Sequence, residues 1–412
     1  MSATVVLGSG IIGVSTAYYL SKHQPPSSIH LVEPSPELFA SASGYAGGFL
    51  AKDWFQAASA SLGALSFDEH RKLAEKGDGA SRWGYTKSTS ISLSPGPKDG
   101  NRVDAWSREG TSRTEAAGGD RKECVAPPWL RRGEGDTVDM IGEEGTVAQV
   151  DPLRLSQSLL SKCVGIGVHL HHPARATSVQ TDMRNEVSSI RIEDATSGTE
   201  TDVPCTTIII TAGAWSPQVF KTLFPTSNLN IPLSSLAGYS LVVKSPHWVK
   251  EHDEHGCHAI FMASQSGYSP EVFSRIGGHI YIAGLNSATE PLPPLATDSK
   301  GKISKSAIEQ LLATAREVIG QGEEEHDLEI VKEGLCFRPV TTSGLPIIGR
   351  IPDNALGAGM ATRPGADGGV YLAAGHGPWG ISLCLGTGKV LAEMVQGRSL
   401  SADVSRLGLN GY

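Results

Sequence analysis

The sequence predicts an α/β fold of two units, one built on a parallel sheet with helices and one on an antiparallel sheet. Three observations predict it. Residues 4–33 read as strand, tight glycine turn, helix and second strand. Thr206 to Thr211 is a continuous apolar and β-branched run, as a strand buried on both faces should be. Residues 236–334 carry alternating strands instead, such as Tyr239–Val243 and His279–Ala283, with one helix, Lys305 to Ile319.

In chain order, Thr4 to Leu7 is a short apolar strand. Helical spacing follows at Ile11, Ile12, Val14, Ala17, Tyr18 and Leu20, and Pro25-Pro26 stops it. Ile29 to Val32 makes the second strand. Ser41 to Gly48 is too rich in Ser, Gly and Ala for a regular element, and a charged helix ending near Lys76-Gly77 comes next. Residues 86–146 have few periodic apolar positions; they predict strands such as Ser88–Leu93 and a long loop around Gly110 to Lys122. From Val147 the pattern is dense again, with a helix through Leu155, Leu159 and Leu160 and a strand at Val168–Leu170. The last 80 residues are punctuated by glycine, and no internal repeat is visible.

Composition narrows the function classes. The 412 residues include 35 Lys+Arg and 43 Asp+Glu, a net charge of −8, with no basic stripe, which argues against a nucleic-acid binder. No apolar run reaches the roughly 18 residues a membrane helix needs. A strand begins almost at the first residue, and six widely spaced cysteines form no CxxC pair. The expectation is a reduced, cytoplasmic protein. Glycine, 48 residues, is about 12% against an ordinary ~7%, and the excess is concentrated in motifs.

The strongest motif is Gly8-Ser9-Gly10-Ile11-Ile12-Gly13, after a strand and opening a helix, with Glu33 twenty residues beyond Gly13. Gly8 makes the turn, Gly10 lets backbone approach a pyrophosphate, and Gly13 lets the helix pack on the strand. The free N–H groups of the helix start then stabilise phosphates, and Glu33 accepts from ribose hydroxyls. A second glycine turn, Gly375-His376-Gly377-Pro378-Trp379-Gly380-Ile381, joins a strand to a helix through Val390 and Met394. A second helix N-terminus suits an electron-rich flavin as well as it suits one more strand–helix unit.

With those residues in view, the chain resembles the FAD-dependent oxidoreductases of the D-amino-acid oxidase, glycine oxidase and sarcosine oxidase family. Five stretches carry the resemblance: Val5–Gly13; Ala42 to Phe49; Thr177-Ser178-Val179; Thr211 to Trp215; and Cys336-Phe337-Arg338-Pro339 through Gly344–Gly349, joined to Gly375–Ile381. The Ala46–Ala51 and Gly377–Ile381 versions look like a fungal-type subgroup. The resemblance implies a Rossmann-like FAD-binding domain from 1–80, 146–235 and 335–412. It is interleaved with an antiparallel-sheet substrate domain from 81–145 and 236–334. It implies that Ser43, Ala46, Gly47, Gly48 and Phe49 wrap the flavin ring and pyrophosphate, and that Val179 meets the adenine through its backbone. Ala212, Gly213 and Trp215 would line the dinucleotide cleft, and Gly375, Gly377, Trp379, Gly380 and Ile381 would lie along the flavin ring.

The implied activity is oxidation of an amine or amino acid, with oxygen as acceptor and hydrogen peroxide as product. A flavin dehydrogenase with another acceptor and a flavin-holding binding protein are the alternatives. Arg338, His376 and Trp379 are the candidate catalytic residues. By resemblance Arg338 grips a substrate carboxylate; its other reading is to hold a turn. His376 is a proton relay or a local hydrogen-bonding group. Glycine oxidase-like proteins place Arg and Asn where this chain has Pro378 and Trp379, so the substrate end differs. Cys336 falls where some relatives carry the cysteine bonded to flavin. Non-covalent FAD is the expectation and a Cys336 link the alternative. No metal site is expected: His252, His255, Cys257 and His258 read as a solvated loop, and His169, His171 and His172 as exposed and structural.

Overall fold

The computed structural model describes residues 3–94, 117, 122–254, 256–262, 268–319 and 328–409. Its first sheet runs Ile347–Ile351, Gly369–Ala374, Thr207–Ile210, Thr4–Leu7, Ile29–Val32, His169–His171. Every pairing is parallel except that of the Ile347–Ile351 edge. Thr207–Ile210 and Thr4–Leu7 are central and buried throughout, which is why they read as unbroken apolar runs.

The twofold side-chain period divides their packing. Val6, Leu31 and Ile209 face the helices Ile11–Leu20, Ala57–Gly77, Pro152–Gly165 and Gly380–Val395. Val5, Val32, Ile208 and Ile210 face the other way, onto Phe220 and Leu223 of the helix Ser216–Leu223 and onto a three-stranded sheet. That sheet is Ala174–Thr181, Val187–Asp194 and Glu200–Pro204. Fully burying one Val or Ile stabilises by about 1.5–3 kcal/mol, so these two layers account for much of the unit's cohesion.

The second sheet has ten strands among the described residues. Eight follow the path Glu329–Val340, Ser234–Lys244, His279–Ser287, Glu271–Arg275, Cys257–Met262, Thr86–Ser94, Thr137–Gly142, Lys122–Glu123; Phe49–Ala51 and Val147–Gln149 attach beside it. Its pairings are antiparallel except that Cys257–Met262 runs parallel to Thr86–Ser94. One face packs on Ile308, Leu311, Ala315 and Val318 of the helix Lys305–Val318, and the other on an aromatic cluster around Phe49, Trp54, Phe261 and Phe273.

Four readings need adjustment. A division at 335 falls inside the strand Glu329–Val340, which puts Cys336 and Arg338 in the second sheet. The glycine-rich segment holds one helical turn, Ala42–Tyr45, because Gly44 and Tyr45 N–H both donate back to Ser41 O. The expected polar loop at 252–258 is a short helix, Lys250–Glu254, followed by a strand. His258 there bonds Thr89 Oγ1 at 2.8 Å, and His255 lies outside the described residues. Of the expected exposed histidines, His171 is half-buried and its Nε2 lies 2.9 Å from His30 Nδ1. Among the described residues no group of His, Cys, Asp or Glu is arranged for a metal, and no helix is long and apolar enough to cross a membrane. The loop expected around Gly110 to Lys122 falls almost wholly outside the described residues.

His70 joins two of the helices. It is 1% exposed, its Nε2 donates to Ile381 O at 3.0 Å, and it lies 3.6 Å from Cys384 Sγ. Burial pushes its pKa down to about 4. The neutral imidazole therefore contributes its full stabilisation above the unfolded value of about 6.5, and that contribution is lost as pH falls toward 4. Replacing His70 by Gln, which can still donate to Ile381, should flatten the fall in unfolding free energy between pH 6.5 and 4 by up to about 1.4 kcal/mol per pH unit. Urea titrations at stepped pH measure this; an unchanged slope would assign the acid sensitivity elsewhere.

Candidate active site

At the carboxyl end of the first parallel strand the chain turns at Gly8, with φ +102°. A Cβ there would meet Ala212 Cα at 2.7 Å and Thr211 O at 2.8 Å, so both conformation and space require glycine. Thr211 Oγ1 donates to Leu7 O and Gly8 O at 3.1 and 2.9 Å. A Cβ at Gly13 would run into Gly8 O, so Gly13 serves the helix–turn contact. Gly10 is the N-cap of the helix Ile11–Leu20, and Ile11 N–H donates to Ser43 Oγ at 2.9 Å.

Glu33 holds this turn. Its two carboxylate oxygens accept from Ser9 N–H at 3.0 Å and Ser35 N–H at 3.1 Å. Burial pushes its carboxyl above the usual range, opposed by those two amides. Opposite, Trp215 Nε1 donates to Pro293 O at 2.7 Å and anchors the short turn Gly213–Trp215.

The segment at Ala46-Gly47 is pinned by the second sheet. Arg275 Nη2 donates to Gly47 O at 3.1 Å, and its Nη1 lies 3.4 Å from Asp151. A Cβ at Gly47 would lie 2.8 Å from Tyr281 Cε1, so this backbone rests on an aromatic ring. From the C-terminal turn, His376 is buried and hydrogen-bonded to Thr387 Oγ1 at 3.1 Å, and burial pushes its pKa down to about 4. Arg338 Nη1 donates to Asn286 Oδ1, and the Tyr281 side chain is also hydrogen-bonded to Arg338.

Gly8, Gly10, Glu33, Gly47, Trp215, Arg338 and His376 line one cavity of about 780 Å³, within the range of small-molecule sites. Of the expected residues it gathers Gly8, Gly10, Ile11, Ile12, Glu33, Ser43, Ala46, Gly47, Ala212, Gly213, Trp215, Arg338, His376, Gly377, Gly380 and Ile381, with Cys336 beside them. Gly13, Gly48, Phe49, Val179, Gly375 and Trp379 are not in its wall. Gly48 and Gly375 shape turns with φ +91° and +78°. Phe49 packs on Trp54, and Trp379 on Phe55, both at 5.0 Å between ring centroids. The strand bearing Val179 lines the cavity earlier, at Ala174 to Thr177. Thr211, from the recognised stretch Thr211 to Trp215, also lines it, as does Tyr281, which no local motif marked.

A glycine-built turn at a helix N-terminus, a buried acid at the end of the next strand and a cavity of this volume fit a flavin dinucleotide. Comparison with known proteins agrees. A model of FAD-dependent oxidoreductases matches residues 3–394. An oxidoreductase of Schizosaccharomyces pombe is 27% identical over 99% of this chain and 97% of its own. Among solved structures, glycine oxidase from Geobacillus kaustophilus superposes with a TM-score of 0.71 at 18% identity, covering 99% of this chain and 98% of that one. L-proline dehydrogenase from P. horikoshii gives 0.68 at 15% identity, covering 99% and 96%. The glycine turn and Glu33 thus sit within a match that spans nearly the whole chain: it belongs to the FAD-dependent oxidoreductase family and is an enzyme that uses FAD.

Proposed function

We propose that the protein oxidises a carboxylate-bearing amine or amino acid. The C–H and N–H bonds of the CH–NH unit break, giving up two electrons and two protons as the C=N bond of an imine forms and then hydrolyses, and oxygen takes up those electrons and protons as hydrogen peroxide. The observation that carries this reading is that Arg338 lines the same cavity as Gly8, Gly10 and Glu33. Bound FAD supplies the hydride acceptor. The chain's own residues would do the rest. Gly8 and Gly10 keep the turn open to a pyrophosphate, Glu33 accepts from ribose hydroxyls while bracing Ser9 and Ser35, and Arg338 holds the substrate carboxylate by its planar fork. His376 is neutral near pH 7, so it carries no charge to the site and serves as a hydrogen-bonding group tied to Thr387. The activities of the two solved relatives, on glycine and on L-proline, support an amino-acid substrate. Oxygen consumption on mixing with substrate separates an oxidase from a dehydrogenase.

FAD is read as non-covalent. Cys336 is 3% exposed, and burial pushes its thiol up, against the pull of Arg338 and Lys332. Bond formation to a ring needs a thiolate, which such a site disfavours.

Three measurements test this reading. Purified protein should be yellow with one FAD per chain, and Gly10→Val should be colourless, because the added carbons fill space that now reaches Ser43 Oγ at 3.1 Å. A fully loaded Gly10→Val protein would sink the assignment of that turn. Acid precipitation should leave the flavin in the supernatant; flavin that stays with the pellet, and is freed in Cys336→Ser, would show a covalent link. Arg338→Ala should lower kcat/KM on carboxylated substrates at least about tenfold, given about 1.5–3 kcal/mol for a charge-assisted hydrogen bond. The flavin spectrum should persist, and Arg338→Lys should recover part of the loss.

A further inference from the structure

The Arg338 side chain reaches across the sheet rather than along its own strand. It pairs with Leu236 on the neighbouring strand Ser234–Lys244, where Gly238 pairs with both Cys336 and Asn286. Residues two apart share a face, so Arg338, Leu236, Gly238 and Asn286 lie on one side of three adjacent strands. The guanidinium crosses the middle strand diagonally to meet Asn286 Oδ1. It passes directly over Gly238, where a Cβ would collide with Nη1 and lie 2.8 Å from Cζ and 2.9 Å from Nη2. Any other residue at 238 occupies the ground on which the fork lies.

The chemistry of the hydrogen-bonding partners matters as much as their position. Asn286 and Tyr281 are neutral acceptors that fix the guanidinium without cancelling its charge, while the Glu271 carboxylate also acts on it electrostatically. A carboxylate at 286 would hold the same nitrogen and neutralise it.

We propose that Gly238 and Asn286 are positioning residues for substrate recognition, Gly238 by leaving the bed in which the Arg338 fork lies and Asn286 by fixing Nη1 without charge, so that Arg338 meets anionic groups of a ligand. This rests on the reading of Arg338 as the carboxylate anchor. The class of ligand selected is a small carboxylate, with the isosteric primary amide discriminated against.

The test is a titration of the yellow holoenzyme, following its visible absorption, with propionate and separately with propionamide. Asn286→Asp should raise the dissociation constant for propionate at least tenfold, change that for propionamide less than twofold and keep FAD bound. Gly238→Ala should weaken propionate at least fivefold; if it fails to fold, Asn286→Asp decides. Arg338→Ala locates any failure. If Arg338→Ala loses propionate while Asn286→Asp and Gly238→Ala bind it as wild type does, the positioning role is overturned and the anchor stands. If Arg338→Ala also binds propionate normally, or propionate leaves the wild-type spectrum unshifted, the anchor falls and this inference with it. An equal loss of propionate and propionamide in Asn286→Asp would mark Asn286 as merely structural.

Discussion

The contact of Gly8 with the Thr211–Ala212 backbone is the constraint on which the rest of the cavity depends. Two parallel strands in register, Leu7 beside Ile210, end at the same level, and their chains must diverge within one residue. A Cβ at Gly8 would be 2.7 Å from Ala212 Cα, so only glycine permits the approach. The Thr211 hydroxyl then ties both sides together through Leu7 O and Gly8 O. With the turn fixed, Gly13 lets the helix begin directly over Gly8, and the helix start is delivered to the carboxyl end of the sheet. Glu33 arrives from the adjacent strand at the same level and bonds Ser9 N–H, so three consecutive strands converge on one crevice.

That convergence explains what was legible. Gly8, Gly10, Gly13 and Glu33 lie within 26 residues and obey local backbone rules, so spacing alone placed them. Thr207–Ile210 was legible because a strand buried on both faces admits only apolar and β-branched residues. The substrate side was less so. Tyr281, Asn286 and Gly238 belong to strands fifty to a hundred residues from Arg338, and their roles follow from sheet register, which no local pattern encodes. Trp379 and Val179 show the opposite case. Their motifs were recognisable, but one side chain packs into the aromatic cluster and the other sits beyond the cavity wall. The helical turn at Ala42–Tyr45 was missed because Ser41 O, rather than propensity, holds it.

The two units are joined through backbone carbonyls that the first unit cannot satisfy by itself. Gly44 O accepts from Lys332 Nζ at 2.9 Å, and Gly47 O from Arg275 Nη2 at 3.1 Å. Both donors come from the second sheet, and hydrogen bonds from charged groups contribute about 1.5–3 kcal/mol each. The segment 44–47, part of it in the cavity wall, is therefore braced twice, by Ser41 O and Ala42 O within its own unit and by the donors of the second sheet. Gly334 makes room for the same docking, since a Cβ there would meet the Tyr45 ring, over which Lys332 Nζ lies 4.2 Å from the centroid. The Ala46–Gly47 backbone of the cavity wall and the strand that bears Arg338 thus share a single set of contacts.

The strand Glu329–Val340 also bears on proton chemistry. Its period of two aims Cys336 and Arg338 at the cavity together, where His376 joins them from the C-terminal turn. Arg338 stays charged at every accessible pH. Burial keeps the Cys336 thiol protonated and holds His376 neutral until pH falls to about 4. Neither Arg338 nor Cys336 can accept a proton near neutrality, and His376, with a pKa of about 4, is too weak to take one from an ammonium group. An amine bound against these three residues would gain no base from them. On the proposed reading, the guanidinium would recognise the carboxylate without competing for a proton, and orientation by Arg338, rather than proton abstraction, would be what this part of the wall contributes.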